Sequence, residues 1–288
     1  KERGIIAQEI KMYEDSADSA VMENLFRVMY QNHPVRNNIA GTVESIEDIT
    51  ADTLKLCHDA FYDPSNLIVC VIGDVDAASI IEQARRLTPA GKKPQFDRCY
   101  GAPEPEKVPV RTIEKQMEIA MPAFAIGFRC PDAGRGADAM RMDLIGEMAG
   151  EMLIGESSKL YQKLYDENVI DADFSVDYER MRGMALLELS GDSEDPRRIL
   201  REVLAEAARV LETGVDRALL ARLKKSVTGR RLRELDGFEG TCYRMCAYYF
   251  DGAEYFDYPE IYASVTAEDV EQFIRENVKE EQAFLSVI

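Results

Sequence analysis

The sequence predicts an α+β protein of two homologous α/β sandwich domains, each with helices on one face of a largely antiparallel sheet. Three observations lead there. A chain of 288 residues exceeds the ~250 at which a single core usually stops growing, so two cores are expected. The stretches ITADTLKLCHDAFYDPSNLIVCVIGDV at 49–75 and VTAEDVEQFIRENVKEEQAFLSVI at 265–288 follow one plan: Ile or Val, Thr-Ala and an acid, a helical stretch, then an apolar run of strand length. Between Pro89 and Pro109 the chain carries five prolines and two glycines among mixed charges, the composition of a connection between domains. These features place the first domain at residues 1–97, a linker at 98–109 and the second domain at 110–288. Only 48 residues precede the repeated ending in the first copy, against about 155 from Val110 in the second, so the first domain is expected to be N-terminally truncated.

Helical spacing of Ile5, Ile6, Ile10, Met12 and Tyr13 predicts a helix over Glu2–Tyr13; a second runs through Val21–Tyr30, and Gln31–Gly41 is loop. Thr50 caps a third helix that ends at Phe61, and Asp63-Pro64-Ser65-Asn66 turns the chain into an apolar strand, LIVCVIGDV, before a helix over Asp76–Leu87. The second part opens with a strand at Ala123–Arg129 and helices at Ala137–Met152 and Ser158–Asp166. Strands at Phe174–Tyr178 and Met184–Ser190 are joined by a turn at Arg182-Gly183. Helices follow at Pro196–Glu212, Asp216–Leu235 and Glu239–Tyr249, and the chain ends on a helix and a strand.

Composition excludes several classes of function. Hydrophobic residues at 46% and charged residues at 31% are globular values. A formal net charge of −18 repels phosphate backbones and anionic lipid surfaces, so neither nucleic acid nor membrane is expected as a partner. No run has the ~18 apolar residues of a membrane span and the start lacks a signal peptide, which favours a cytoplasmic protein. The six cysteines form no CxxC pair, and most of them read as buried thiols in a reducing compartment. Cys242 and Cys246, four apart on a helix, share a face but have no histidine near them in sequence to build a metal site.

Two carboxylates carry the chemistry. Glu2 and Glu9 are seven apart, nearly two helical turns, and border a stripe that includes Ile5 and Ile6. A carboxylate against an apolar face needs a compensating partner, and a metal ion is one such partner; a frayed end and a solvated edge are the plain alternative. ERGIIAQEIKMYED resembles the segment downstream of the HxxEH motif in the insulinase, pitrilysin and mitochondrial processing peptidase family of zinc metallopeptidases. The resemblance continues through HPVRNNIAGTVESIEDITADTL, FYDPSNLIVCVIGDVD and SSKLYQKLYDENVI, and so spans most of the chain. It implies the LuxS/MPP-like metallohydrolase fold of the bacterial two-domain type, a Zn²⁺ cofactor in the intact parent, and hydrolysis of a peptide or protein substrate. Carried over by position, it makes Glu9 the third zinc ligand, turned inward toward the ion, and Glu2 the acid that supports it from close by.

The same resemblance implies an incomplete site. The chain has only His33 and His58, neither beside a Glu-His partner, so HxxEH is absent from it. His33 reads as a loop residue and His58 as a polar helix position. Without two ligands and the general base, this chain is expected neither to bind catalytic zinc nor to cleave peptides. Where the family often carries an Arg and a Tyr seven apart that touch the substrate backbone, Tyr165 and Ala172 stand here. Tyr165 and Phe174 remain candidate substrate contacts, although Phe174 and Tyr178 are equally core positions of a strand. Asp143, Glu147 and Glu151 fall where the second half of such proteins carries a decayed zinc helix and, lacking a histidine, read as a solvated face. The expected function is the C-terminal part of an insulinase-family zinc endopeptidase; the alternative is a noncatalytic partner subunit of a processing-peptidase-like heterodimer. A truncated domain exposes apolar surface, so a homo- or hetero-oligomer with a related subunit is expected.

Overall fold

The structure, a computed structural model, describes residues 2–88, 98–105 and 107–288. Its helices are α1 (Glu2–Glu14), α2 (Ala17–Met29), α3 (Ala51–Phe61), α4 (Ala77–Leu87), α5 (Ala137–Ile154), α6 (Lys159–Asp166), α7 (Pro196–Thr213), α8 (Arg217–Glu234), α9 (Phe238–Asp251), α10 (Tyr258–Ser264) and α11 (Ala267–Asn277). Its strands are β1 (Thr112–Glu114), β2 (Ala123–Cys130), β3 (Ser175–Met181), β4 (Met184–Asp192) and β5 (Ala283–Val287). No helix among the described residues is long and apolar enough to cross a membrane.

The strands form one sheet in the order β1-β5-β2-β4-β3, with β1 parallel to β5 and all other neighbours antiparallel. Alternation along the strands sends Phe124, Ile126, Phe128, Leu187, Leu189 and Leu285 to one face, into a core shared with α5, α7, α8, α10 and α11. Their neighbours Ala125, Met184, Leu186 and Phe284 point the other way, onto Leu25, Val28 and Met29 of α2. The expectation of helices on one face is therefore corrected. The sheet is covered on both, because α2, from the first part of the chain, lends its apolar stripe to a sheet built by the second. Gly146 lets α5 pack close on β3: a Cβ atom there would lie 2.3 Å from Cγ of Tyr178.

The repeated endings fold alike up to the strand. Thr50 caps α3 with φ −107° and ψ 166°, and Thr266 caps α11 with φ −109° and ψ 169°. Each helix leads to a short 3-10 turn, Pro64–Asn66 or Glu280–Gln282, and then to an extended run. The second run is β5. The first does not form the strand expected at 67–75: among the described residues no strand lies beside it, and a strand exists only through hydrogen bonds to a neighbour. It keeps the alternation, with Ile68, Cys70 and Ile72 partly covered and Leu67, Val69 and Val71 exposed. Neither α3 nor α4 buries a residue, and Leu54, Leu56, Phe61 and Ile81 stand in solvent. Residues 51–88 thus have the amphipathic pattern of a sandwich half without the sheet it would cover.

Two short elements escaped the sequence reading: β1, three residues long, and α10, seven, are too brief for a period to register. The proline-rich connection falls partly on 89–97 and Glu106, outside the described residues, but its described part is not free. Glu104 accepts the backbone N–H groups of Gln31, Asn32 and His33 at 2.6, 2.8 and 2.7 Å. Partial burial opposes ionisation of its carboxyl, and these three bonds more than offset that and hold it below the usual range.

A carboxylate buried on the sheet gives the fold a pH dependence. Glu188 on β4 is 8% exposed, and its Oε2 has no hydrogen-bond partner. Burial first, then the nearby charges of Glu179 and Asp177, push its carboxyl up to about 7. The folded chain therefore holds a proton that the unfolded chain releases near its ordinary 4.5. Stability from this group is complete below that value and is lost as pH rises through about 7. Glu188→Gln is expected to leave stability nearly unchanged at pH 4.5 and to raise it by about 2 kcal/mol at pH 8, read from urea unfolding at the two pH values.

Candidate functional site

Helix α1 buries only Ile10, which anchors it beside α2. Glu2, Ile5, Ile6, Glu9, Met12 and Tyr13 are all exposed, so the predicted stripe exists and faces outward. The Tyr13 hydroxyl donates to Glu9 Oε1 at 3.5 Å, and Glu9 lies at the rim of a hollow of about 420 Å³ with Ile6, Ile10, Ser19 and Glu23. The expectation that Glu9 turns inward is not met: no sheet stands behind α1 among the described residues.

The residues present do not complete a zinc site. Among the described residues no group of three or more His, Cys, Asp or Glu side chains could hold a metal. His33 is a loop residue, as expected, and is buried. Its Nε2 lies 2.8 Å from the Arg182 carbonyl, its Nδ1 accepts from Val35 N at 3.1 Å, and its ring stacks on Tyr100 at 5.6 Å. His58 is exposed beside Tyr62 and Asp59. Glu9 is then a single donor.

The acids of α5 overturn the expectation of a solvated face. Asp143, Glu147 and Glu151 are half-buried and line a cavity of about 510 Å³ with Tyr178, Arg180 and Arg230. Arg180 grips Asp143 with Nε at 2.8 Å and Nη2 at 3.1 Å, and Nη2 also reaches Asp251 at 2.7 Å. Burial pushes the Asp143 carboxyl up; burial also works against the Arg180 charge, but hydrogen bonds to Asp143 and Asp251 outweigh it and hold the guanidinium protonated. Glu147 receives Arg230 at 2.8 Å and lies 3.7 Å from Arg231, both from α8. Burial raises the Glu151 carboxyl too, with Arg230 opposing. Carboxylates that could have met a metal are met by guanidinium groups, so the compensating charge comes from the chain's own arginines. The sequence signal was Arg180 itself: with Val176 and Tyr178 it occupies alternate positions of β3 that face α5, and a charge in that row must have a buried partner.

Of the substrate candidates, Tyr165 is 47% exposed at the end of α6 and stacks on Tyr161 at 5.9 Å. Phe174 is 8% exposed and packs on Phe124 and Tyr161 at 6.4 and 6.0 Å. With Tyr161, Phe174 borders a second hollow of about 300 Å³ that Tyr165 does not enter. The Tyr178 hydroxyl, inside the α5 cavity, has no protein partner.

The fold is a largely antiparallel sheet covered by helices, with the acids of α5 paired to arginines. Residues 48–227 match the family model described as the peptidase M16 inactive domain, and the chain belongs to that family. It is 34% identical over 284 residues to a protein of Bacillus subtilis named uncharacterized zinc protease YmfH, a match covering 96% of this chain and 65% of that one. Zinc protease PqqE of Helicobacter pylori is 23% identical over 231 residues, 77% of this chain and 51% of its own. The chain thus spans less than two thirds of these relatives. A crystal structure of an M16-like peptidase from Alicyclobacillus acidocaldarius superposes with a TM-score of 0.92 at 29% identity, over 99% of this chain and 69% of the other.

Proposed function

We propose that this chain is the C-terminal part of an insulinase-family zinc endopeptidase and contributes one zinc ligand, Glu9, to a site whose other ligands and base lie on residues outside it. The carrying observation is the open stripe of α1, where Glu2 and Glu9 flank exposed Ile5 and Ile6. Apolar surface of that kind marks a place where another element seats, and carboxylates at its edges suit a cation brought by that element. The relatives named zinc proteases support the reading. The retained glutamate pair argues against the alternative of a noncatalytic partner subunit. Residues 1–97 are assigned to the zinc-site domain, 98–109 to the linker and 110–288 to the noncatalytic domain. Bare apolar residues on α3, α4 and 67–72 favour association with a related subunit, and six free thiols, of which Cys130 is buried where most were expected to be, suit the cytoplasm.

The test compares this chain with the longer protein from which it derives. Calorimetric titration of the chain alone is expected to show no submicromolar zinc site, and the longer protein is expected to bind zinc and cleave unfolded peptides. A submicromolar site on this chain alone, or a longer protein without one, overturns the reading.

A further inference from the structure

We infer that the hollow between α8 and α10 binds a fatty acid, a carboxylate at the end of a straight aliphatic chain. The hollow measures about 740 Å³, a size usual for small-molecule sites, and is bordered by α8, the 3-10 turn Tyr255–Asp257 and α10. Much of its wall is apolar, from Leu232, Leu235, Phe256, Pro259 and Ala263. Leu232, Leu235 and Phe256 are 62, 36 and 59% exposed, so this surface is open to a ligand.

The charges on the wall have one sign. Lys224, Lys225 and Arg231 line the hollow and, among the described residues, no aspartate or glutamate does, in a chain of net charge −18. The cations are held by two stacked rings. Tyr258 and Tyr262, 6 and 3% exposed, lie 5.4 Å apart at 10°. The Arg231 guanidinium stands 5.4 Å from the Tyr258 ring centre, and the Lys224 ammonium 5.5 Å from that of Tyr262. Lys224 donates to the carbonyls of Ala263 and Val265 at 3.1 and 2.7 Å, which leaves one of its N–H groups over. Arg231 also borders the acid cavity, where Nη2 lies 3.7 Å from Glu147, and its Nη1 lies 3.3 Å from Glu234. Two buried donors remain. Neither the Tyr258 hydroxyl nor Arg231 Nε has a hydrogen-bond partner, since the guanidinium stands over the ring. A buried donor without an acceptor is costly, and a carboxylate brings two oxygens and the opposite charge. Its aliphatic chain then covers the apolar wall. A peptide fits less well, because its amides would lie unpaired against that wall.

The test is calorimetric titration of the chain at neutral pH with sodium decanoate. One site is expected, with octanoate about tenfold weaker for its two fewer methylenes and acetate without measurable binding. Decyltrimethylammonium, the same chain length with a cationic head, is expected to bind at least tenfold more weakly than decanoate. Leu232→Glu, at an exposed position of the wall, is expected to abolish binding, and Tyr258→Phe, which removes only the hydroxyl, to weaken it about tenfold. Leu56→Glu on α3 alters bare apolar surface elsewhere and is expected to leave the affinity intact. The inference is overturned by equal binding of decanoate and decyltrimethylammonium, by equal losses in Leu56→Glu and Leu232→Glu, by tighter binding of acetyl-Leu-Leu-Leu than of decanoate, or by no site at all. The comparison of probes on the unmutated chain decides this even where a variant folds poorly.

Discussion

Replacing Arg180 with Ala is expected to cost about 3 kcal/mol of stability and to lower the melting temperature by roughly 6–12 °C. Arg180 is 10% exposed and is the shared partner of Asp143 and Asp251, themselves 26% and 16% exposed. Its removal leaves two like charges close together and largely out of water, and a buried charge that loses its partner is among the most destabilising changes a protein can suffer. The contacts also join three elements: Arg180 on β3, Asp143 on α5 and Asp251 at the end of α9. Arg180→Lys keeps the charge without the fork and should cost less than alanine, because one ammonium cannot span both carboxylates with the same geometry. Combining Arg180→Met with Asp143→Leu and Asp251→Leu should recover part of the loss, since no unpaired charge then remains. Urea unfolding of the variants measures all three. A loss below about 1 kcal/mol for Arg180→Ala would show the network to be solvated and of little structural weight.

Glu9→Gln, made in the longer zinc protease proposed as the parent, is expected to reduce zinc affinity and peptide hydrolysis by more than about 100-fold. Partners that only orient a ligand already cost 10–100-fold when lost, and an amide in place of a coordinating carboxylate removes the negative charge and weakens the donor. Glu2→Gln should fall within that smaller range, about tenfold, because its role is supporting. In this chain both substitutions are expected to leave stability within about 0.5 kcal/mol, because both side chains are exposed. Zinc content after dialysis, and turnover at saturating zinc, separate a lost ligand from a misfolded protein. Equal activity of Glu9→Gln and the parent would remove Glu9 from the site.

Much of the fold was legible because it is periodic. Thr50, Ser158 and Thr266 announce helix starts that each form with the side chain accepting a backbone N–H. The Arg182-Gly183 turn sits where strands of alternating pattern require it, with Gly183 at φ 82°. The strand expected at 67–75 failed for the opposite reason: an apolar run states a preference, and only a neighbouring strand can fulfil it. The candidate site divides in the same way. Glu2 and Glu9 on one stripe follow from helix geometry, whereas the fate of Asp143, Glu147 and Glu151 depends on arginines far along the chain.

The sequence by itself determined the longer helices, the Thr50 cap, that two endings repeat and that HxxEH is absent from the chain. Tertiary structure alone decided that α2 covers the far side of the sheet and that the acids of α5 are paired with Arg180, Arg230 and Arg231. The physical reason is range. Periodicity, capping and composition act within a few residues, so a single segment displays them, but the partner of a buried charge is set by packing between segments that share no local pattern.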